Sequence, residues 1–146
     1  MKPLLRLLLV VGLVLCCGLP LAVTACGDDG GQALEGTKWV LSAYAVDGTM
    51  KDALVTATAD ATFADGQVSG NAGINQYNGP YEVDGDRLSI GPLASTKMAG
   101  DAMIMEQEAA FLMALESAAS YEIDGDTLVI MDSSGAAVLE FSPAEG

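Results

Sequence analysis

The sequence predicts an α+β domain that is mainly β: an antiparallel, incompletely closed, barrel-like sheet of hairpins with one packed α-helix at about residues 103–119. Three observations support this prediction. Short β-prone segments are separated by Asp-Gly turns, one ten-residue hairpin pattern occurs twice, and a single stretch has helical composition and periodicity. Hairpins surrounding one helix favour an antiparallel sheet that the helix covers or plugs.

The first 25 residues have the pattern of a lipoprotein signal peptide. Lys2 and Arg6 precede an apolar stretch at residues 7–23, and the final residues VTAC, ending at Cys26, fit a lipobox. Cleavage before Cys26 would let its thiol receive a diacylglyceryl group, and fatty chains such as palmitate would anchor the protein. We therefore expect an extracytoplasmic protein held by lipid at the cell membrane or an outer membrane.

A plain signal peptide or an uncleaved transmembrane helix are the rival interpretations of this leader. About 17 apolar residues lie at the short end of the ~17–25 that span a bilayer. Gly18 and Pro20 interrupt the run. Cys16 and Cys17 would be removed with the leader, so the mature chain would form no internal disulfide.

Acidic residues dominate the charge of the chain. It contains 20 Asp and Glu, 6 Lys and Arg and no His, for a net charge of −14. Such a field repels phosphate backbones, so we expect no nucleic-acid partner. The absence of histidine from the sequence removes the commonest general base and zinc ligand, and we expect neither a metal nor another cofactor.

The domain is predicted to begin after a tether. Residues 26–35 contain the lipidated Cys26 and a Gly- and Asp-rich flexible segment, and the domain extends over residues 36–142. A strand is predicted at residues 37–46, then a hairpin centred on Asp65-Gly66.

The repeated pattern predicts two further hairpins. Residues 81–90 (YEVDGDRLSI) reappear as residues 121–130 (YEIDGDTLVI), and a last hairpin flanks residues 132–135. The Asp-Gly steps suit type I′ or G1-bulge turns. Each D-G-D turn supplies only two carboxylates, so turn geometry explains it better than calcium binding.

The helix is predicted within residues 102–120, with Asp101 as its N-cap. Its broad apolar side would contain Met105, Ala109 and Leu112, with Ile104, Phe111, Leu115 and Ala118 close beside them, while its polar residues would face water. Those polar residues are Glu106, Gln107 and Glu116. Trp39 is predicted to anchor the core. Four methionines are predicted to fill it: Met98, Met103, Met105 and Met113.

Residues 70–81 (GNAGINQYNGPY) are the candidate ligand or partner loop. Its candidate contact residues are Asn71, Asn75, Tyr77 and Asn78. The amides could bind a polar ligand and Tyr77 could stack on a sugar or peptide. Alternatively, Gly and Asn serve turn positions and the tyrosines fill gaps between strands.

The sequence resembles the META domain family, which includes heat-shock lipoproteins of the HslJ type. The resemblance rests on residues 36–41 (GTKWVL), on Gly70, Gly73, Asn75, Tyr77, Gly79 and Tyr81, and on residues 93–99 (LASTKMA), 105–108 (MEQE) and 121–128. It implies an antiparallel, barrel-like fold with one helix and an envelope or stress-related role without catalytic residues. Relatives often have cysteines at the positions of Ile74 and Gly100, and the resemblance implies that these two cysteines form a disulfide there.

The expected function is that of a non-enzymatic envelope lipoprotein, an interaction or maintenance module for a protein or glycan partner. One alternative is a carrier of a small hydrophobic ligand or lipid in the barrel. A second is an enzyme that uses carboxylates alone, which requires two acids buried together with raised pKa values. No catalytic residue is assigned from the sequence.

Overall fold

The computed structural model describes residues 33–146, which form ten strands and one helix. The predicted signal peptide, Cys26 and most of the predicted tether lie outside the described residues. Within residues 33–146 no helix combines the length and apolarity needed to cross a membrane. The elements are β1 Lys38–Val46, β2 Thr49–Asp52, β3 Asp60–Ala64, β4 Gln67–Asn71, β5 Gln76–Asp84, β6 Arg87–Ile90, β7 Ala94–Ser95, α1 Ala102–Glu116, β8 Ser120–Asp124, β9 Thr127–Met131 and β10 Ala137–Pro143.

Eight of these strands form an antiparallel barrel. Their order is β1-β3-β4-β5-β6-β8-β9-β10, and β10 pairs again with β1. The remaining two strands lie beside the ring, β2 against β1 and β7 against β5. The predicted mainly β, antiparallel fold with a single helix is therefore confirmed.

The seam between β6 and β8 is the thinnest part of the barrel. It has one paired position, Arg87 with Ser120. Two backbone hydrogen bonds cross it, from Leu88 N to Ala119 O at 3.2 Å and from Tyr121 N to Asp86 O at 2.9 Å. This seam is where the predicted barrel is incompletely closed.

The two repeated hairpins occur as predicted, as β5–β6 and β8–β9. Their turns differ from the prediction. Positive φ occurs only at the first central residue, +63° at Gly85 and +60° at Gly125, which is the pattern of a type II′ turn rather than type I′. The type I′ pattern, positive at both central residues, occurs instead at Asp65-Gly66.

Large side chains fill the barrel interior. Trp39 is fully buried, as predicted, and Phe111 of the helix packs edge-on against Tyr77 and Phe141 with ring centroids 5.5 and 6.1 Å apart. The other large, fully buried apolar side chains are Phe63, Leu88, Leu115, Leu128, Ile130, Leu139 and Val68. This packing occupies the space that a carrier would need for its ligand.

The helix begins and ends close to its predicted limits. Asp101 is its N-cap, because its carboxylate accepts from Met103 N at 2.9 Å. It ends at Glu116 instead of about residue 119, because Ser117 caps it and its hydroxyl donates to Ala114 O.

The predicted faces of the helix were partly wrong. Gln107 is fully buried instead of facing water, since it accepts from Leu54 N at 2.7 Å and donates to Ala57 O at 3.1 Å. Met98, Met103 and Met113 are 55%, 66% and 71% exposed and do not fill the core. The buried side of the helix therefore combines Gln107 and Glu108 with Phe111 and Leu115, while Met103 and Met113 lie on its outer side.

The helix and the entering chain occupy opposite ends of the barrel. Along β5, Tyr77 contacts Phe111 of the helix, whereas Tyr81 packs against Phe63 and donates a hydrogen bond to Glu35. These two tyrosines are four residues apart, about 13 Å along a strand. The chain therefore enters beside Leu34 and Glu35, at the end away from the helix.

Candidate functional site

An open polar groove of about 820 Å³ lies where β4, β5 and β7 meet the start of β3. Hydroxyl and amide side chains dominate its lining. The lining residues are Lys38, Asp60, Ser69, Gly70, Asn71, Gln76, Tyr77, Asn78, Ala94, Ser95 and Thr96. We call this site the polar groove.

Asp60 is the acidic residue of the polar groove and is nearly buried. Its Oδ2 pairs with Lys38 Nζ at 3.2 Å, and its Oδ1 accepts from Asn71 N at 3.2 Å. The lysine side chain is 57% exposed and the aspartate side chain 12%. The groove therefore presents an exposed ammonium above a carboxylate that the protein already satisfies.

Close approach of two strands shapes this end of the groove. A Cβ added to Gly70 would lie 2.1 Å from the backbone oxygen of Asp60, so only glycine fits there. The same oxygen accepts from the Tyr77 hydroxyl at 2.8 Å. Burial and, secondarily, the charge of Asp60 raise the pKa of Tyr77 well above its ordinary value. Tyr77 is thus a neutral, buried donor.

The four predicted loop residues occupy different environments. Asn78 is exposed on β5 and lines the groove; Asn71 is half-buried and its Oδ1 accepts from Gly73 N at 2.7 Å. Tyr77 and Asn75 are 4% and 3% exposed. Residues 70–81 were interpreted as a loop, but β4 extends to Asn71 and β5 begins at Gln76, leaving residues 72–75 as the connection.

Both amide atoms of Asn75 are engaged inside the protein. Its Oδ1 accepts from Met98 N at 2.7 Å and from Thr96 Oγ1 at 2.8 Å. Its Nδ2 donates to Glu108 Oε1 at 2.6 Å and to Met98 O at 3.1 Å. Asn75 therefore ties the β4–β5 connection to residues 96–98 and to the helix.

Glu108 completes this network and was missed in the sequence. Its Oε2 accepts from the backbone N atoms of Ile74 at 2.9 Å and Asn75 at 2.8 Å. Burial raises the pKa of Glu108. The hydrogen bonds from Asn75 and Ile74 and the charge of Lys97 together lower it by more, so the pKa lies below its ordinary value. Its sequence signal was its place at the end of residues 105–108 (MEQE), one of the segments on which the family resemblance rests.

Ile74 and Gly100, the two positions at which relatives often have cysteine, lie in contact. A Cβ on Gly100 would lie 2.0 Å from Ile74 Cδ1 and 3.0 Å from its Cγ1. The larger side chain at one position thus uses the space left by glycine at the other. Apolar packing joins the two loops here.

The aspartates of the two D-G-D turns are not grouped with further side chains that could bind a metal ion. Within the part of the chain that the structure describes, no group of three or more His, Cys, Asp or Glu is arranged to hold a metal ion. Asp84 and Asp86 are the first and third residues of one type II′ turn, and Asp124 and Asp126 take the same positions in the other. Each pair is accounted for by turn geometry.

Comparison with known proteins gives a family and a shared fold. The profile described as "META domain" matches residues 32–145. A solution structure of a protein from Burkholderia xenovorans is 27% identical, with a TM-score of 0.65, covering 77% of this chain and 85% of that one. A second NMR structure is 18% identical and has a TM-score of 0.55; the match covers 73% of this chain and 87% of that one. No curated protein matches.

Proposed function

The chain belongs to the META domain family, and we propose that it works as a lipid-anchored, non-enzymatic interaction module of the cell envelope. The leader ending in Val23-Thr24-Ala25-Cys26 supports export and acylation. On this proposal the domain begins about ten residues after the lipid, so a short tether keeps it near the membrane surface.

The polar groove is the observation that carries the proposal. Its exposed side chains, among them Ser69, Gln76 and Asn78, offer hydroxyl and amide groups that both donate and accept hydrogen bonds. This chemistry favours an envelope protein or glycan, rich in hydrogen-bonding groups, over an acyl chain.

The described residues give little support to the two rival functions. The carboxylate-only enzyme needs two acids sharing one cleft with raised pKa values, yet Asp60 and Glu108 belong to separate networks and the pKa of Glu108 is lowered. The carrier needs an apolar cavity in the barrel, where Trp39, Phe63 and Phe111 are packed. We therefore propose neither.

Crosslinking in intact envelopes tests the groove. Asn78→Arg places a long charged side chain in the polar groove, whereas Ser89→Arg makes the matched change at an exposed position on β6. We expect the wild type and Ser89→Arg to recover the same crosslinked partner and Asn78→Arg to lose at least five-fold of it. A protein always recovered alone would contradict the proposed role.

Intact-mass analysis of the same membrane fraction tests the anchor. We expect a chain that begins at Cys26 and carries added acyl mass, and we expect Cys26→Ser to lose both the cleavage and the lipid. A membrane-bound chain that still begins at Met1, or a soluble unmodified chain, would remove the anchor from the proposal.

A further inference from the structure

Much of the outer side of α1 is apolar, because two of the polar residues of the helix are buried against the barrel. Gln107 and Glu108 face inward, while Met103 and Met113 are 66% and 71% exposed. Within α1, Glu106 and Glu116 are the polar side chains left outside. An exposed apolar surface on a helix is more informative than a scattered exposed residue, because soluble surfaces rarely keep such patches without a partner.

A shallow groove of about 330 Å³ lies between α1 and residues 95–99, and its apolar lining consists of Met98, Ala99, Met105, Ala109 and Leu112; Met103 and Met113 are not among its lining residues. Met105, Ala109, Leu112 and Met113 recur at i, i+4, i+7 and i+8 and so lie along one side of the helix. Met98, 55% exposed, faces them from the other wall. We call Met98, Met105, Ala109, Leu112 and Met113 the methionine face.

The charges around the methionine face are mostly negative. Asp101, Glu106 and Glu116 are exposed on the helix or at its start. Lys97 is the basic residue of the groove, and its charge acts on the buried Glu108. Residues 33–146 contain 18 of the 20 acids and 4 of the 6 basic residues, so a cationic partner is attracted to this surface.

We propose that the methionine face is the docking site for a cationic amphipathic helix of a partner protein. Methionine side chains are flexible and polarizable, so they adapt to the apolar side of an incoming helix, while the acidic rim pairs with its lysines or arginines. The 15-residue helix α1 is about 22 Å long, which matches a partner helix of about four turns. The inference rests on the proposed function, since it names a partner for the interaction module.

Two other occupants fit the charges and the geometry less well. Anionic headgroups are repelled by Asp101, Glu106 and Glu116, and the chain enters the domain beside Leu34, at the barrel end away from α1. A second copy of this acidic chain is repelled in the same way.

Peptide binding to the full-length protein in zwitterionic nanodiscs tests the inference. The probe is a fluorescein-labelled amphipathic helix of about 15 leucine and lysine residues, matched to the length of α1, and the readout is fluorescence anisotropy. We expect Met98→Glu/Met113→Glu to weaken binding at least ten-fold. The matched control Val55→Glu/Val83→Glu changes two apolar residues that are 99% and 40% exposed elsewhere, and we expect less than a two-fold effect.

Four results would overturn the inference. Undiminished binding by both double variants, or equal binding of a scrambled peptide of the same composition, would mean attraction by charge alone. Self-association that Met98→Glu/Met113→Glu abolishes would assign the face to a second copy. Protection of Met113 from peroxide in nanodiscs without peptide would assign it to lipid. None of these results depends on the crosslinking or mass test, so a failure here is distinguishable from a failure of the proposed function.

Discussion

At the scale of single residues, Glu108 ties α1 to the β4–β5 connection. It accepts hydrogen bonds from Ile74 N, Asn75 N and Asn75 Nδ2, all between 2.6 and 2.9 Å. A carboxylate is required because all three partners are donors. An amide at this position would turn an NH₂ group toward one of them.

We expect Glu108→Gln to lower the free energy of unfolding by about 1–3 kcal/mol at pH 7, because a buried donor loses its acceptor. The pKa of Glu108 is lowered in the folded protein, so its contribution is present above the unfolded pKa, about 4.3, and is lost as the pH falls through the lower folded value. The difference in unfolding free energy between Glu108→Gln and the wild type should therefore become smaller as the pH falls.

Urea unfolding at pH 7 and pH 3 measures this gap. Glu106→Gln is the matched control, since it changes an exposed acid two residues away on α1, and it should alter stability by less than about 0.5 kcal/mol. An equal gap at both pH values would mean that the charge of Glu108 does not contribute to stability.

At the scale of elements, the contact between Ile74 and Gly100 joins two loops by apolar packing. The Cβ of Ile74 is bonded to Cγ1, which lies 3.0 Å from a Cβ built on Gly100. The two Cβ atoms are thus at most about 4.5 Å apart, within the range that a disulfide bridges. The contact connects the β4–β5 loop to the segment before α1.

We expect Ile74→Cys/Gly100→Cys to form a disulfide on mild oxidation and to gain about 3 kcal/mol of stability from closing this loop. Gly100→Cys alone should be destabilised, because its Cβ would meet Ile74. The readouts are a 2 Da mass loss and a melting temperature that falls when reductant is added. A double variant that stays reduced would mean that the loops lie further apart in solution.

Elements also show where sequence reasoning succeeded and where it failed. The hairpins were predictable because Asp-Gly turns and alternating residues are local signals, and the N-cap at Asp101 was predictable for the same reason. The burial of the polar side chains of α1 was not predictable. Gln107 is buried because Leu54 and Ala57, some fifty residues earlier, supply its hydrogen-bond partners, and no local pattern reports such a partner.

At the scale of the whole molecule, the final strand closes the barrel. β10 pairs with both β9 and β1, and its Leu139 and Phe141 are fully buried. We expect deletion of residues 137–146 to abolish cooperative unfolding, since it exposes two strand edges and opens the core. Near-ultraviolet circular dichroism measures the loss of tertiary packing, and dye binding measures the exposure of the core.

A shorter deletion is the control for this change. Residues 144–146 are exposed, and Ala144 makes one backbone hydrogen bond to Lys38 O, so removing them should cost less than about 1.5 kcal/mol. Native-like dichroism in the chain lacking residues 137–146 would mean that the remaining strands close without β10.

The polar groove was only partly visible in the sequence. Asn71, Tyr77 and Asn78 were singled out and do line it, but Lys38, Asp60 and Ser95 come from distant strands that only the barrel brings together. Asn75 was chosen for its amide, which the fold uses internally. Composition can indicate a polar surface, but the register of the strands decides which side chains share it.

Because its first and last strands are neighbours, the barrel cannot be completed while the chain is still emerging from a ribosome or a translocation channel. Until residues 137–143 arrive, β1 lacks one of its partners and the interior remains open on that side. A polypeptide threaded through a membrane pore must stay unfolded during passage, and this order of assembly delays folding until the passage is almost over. For the export proposed above, the topology means that the barrel closes only once residues 137–143 have crossed.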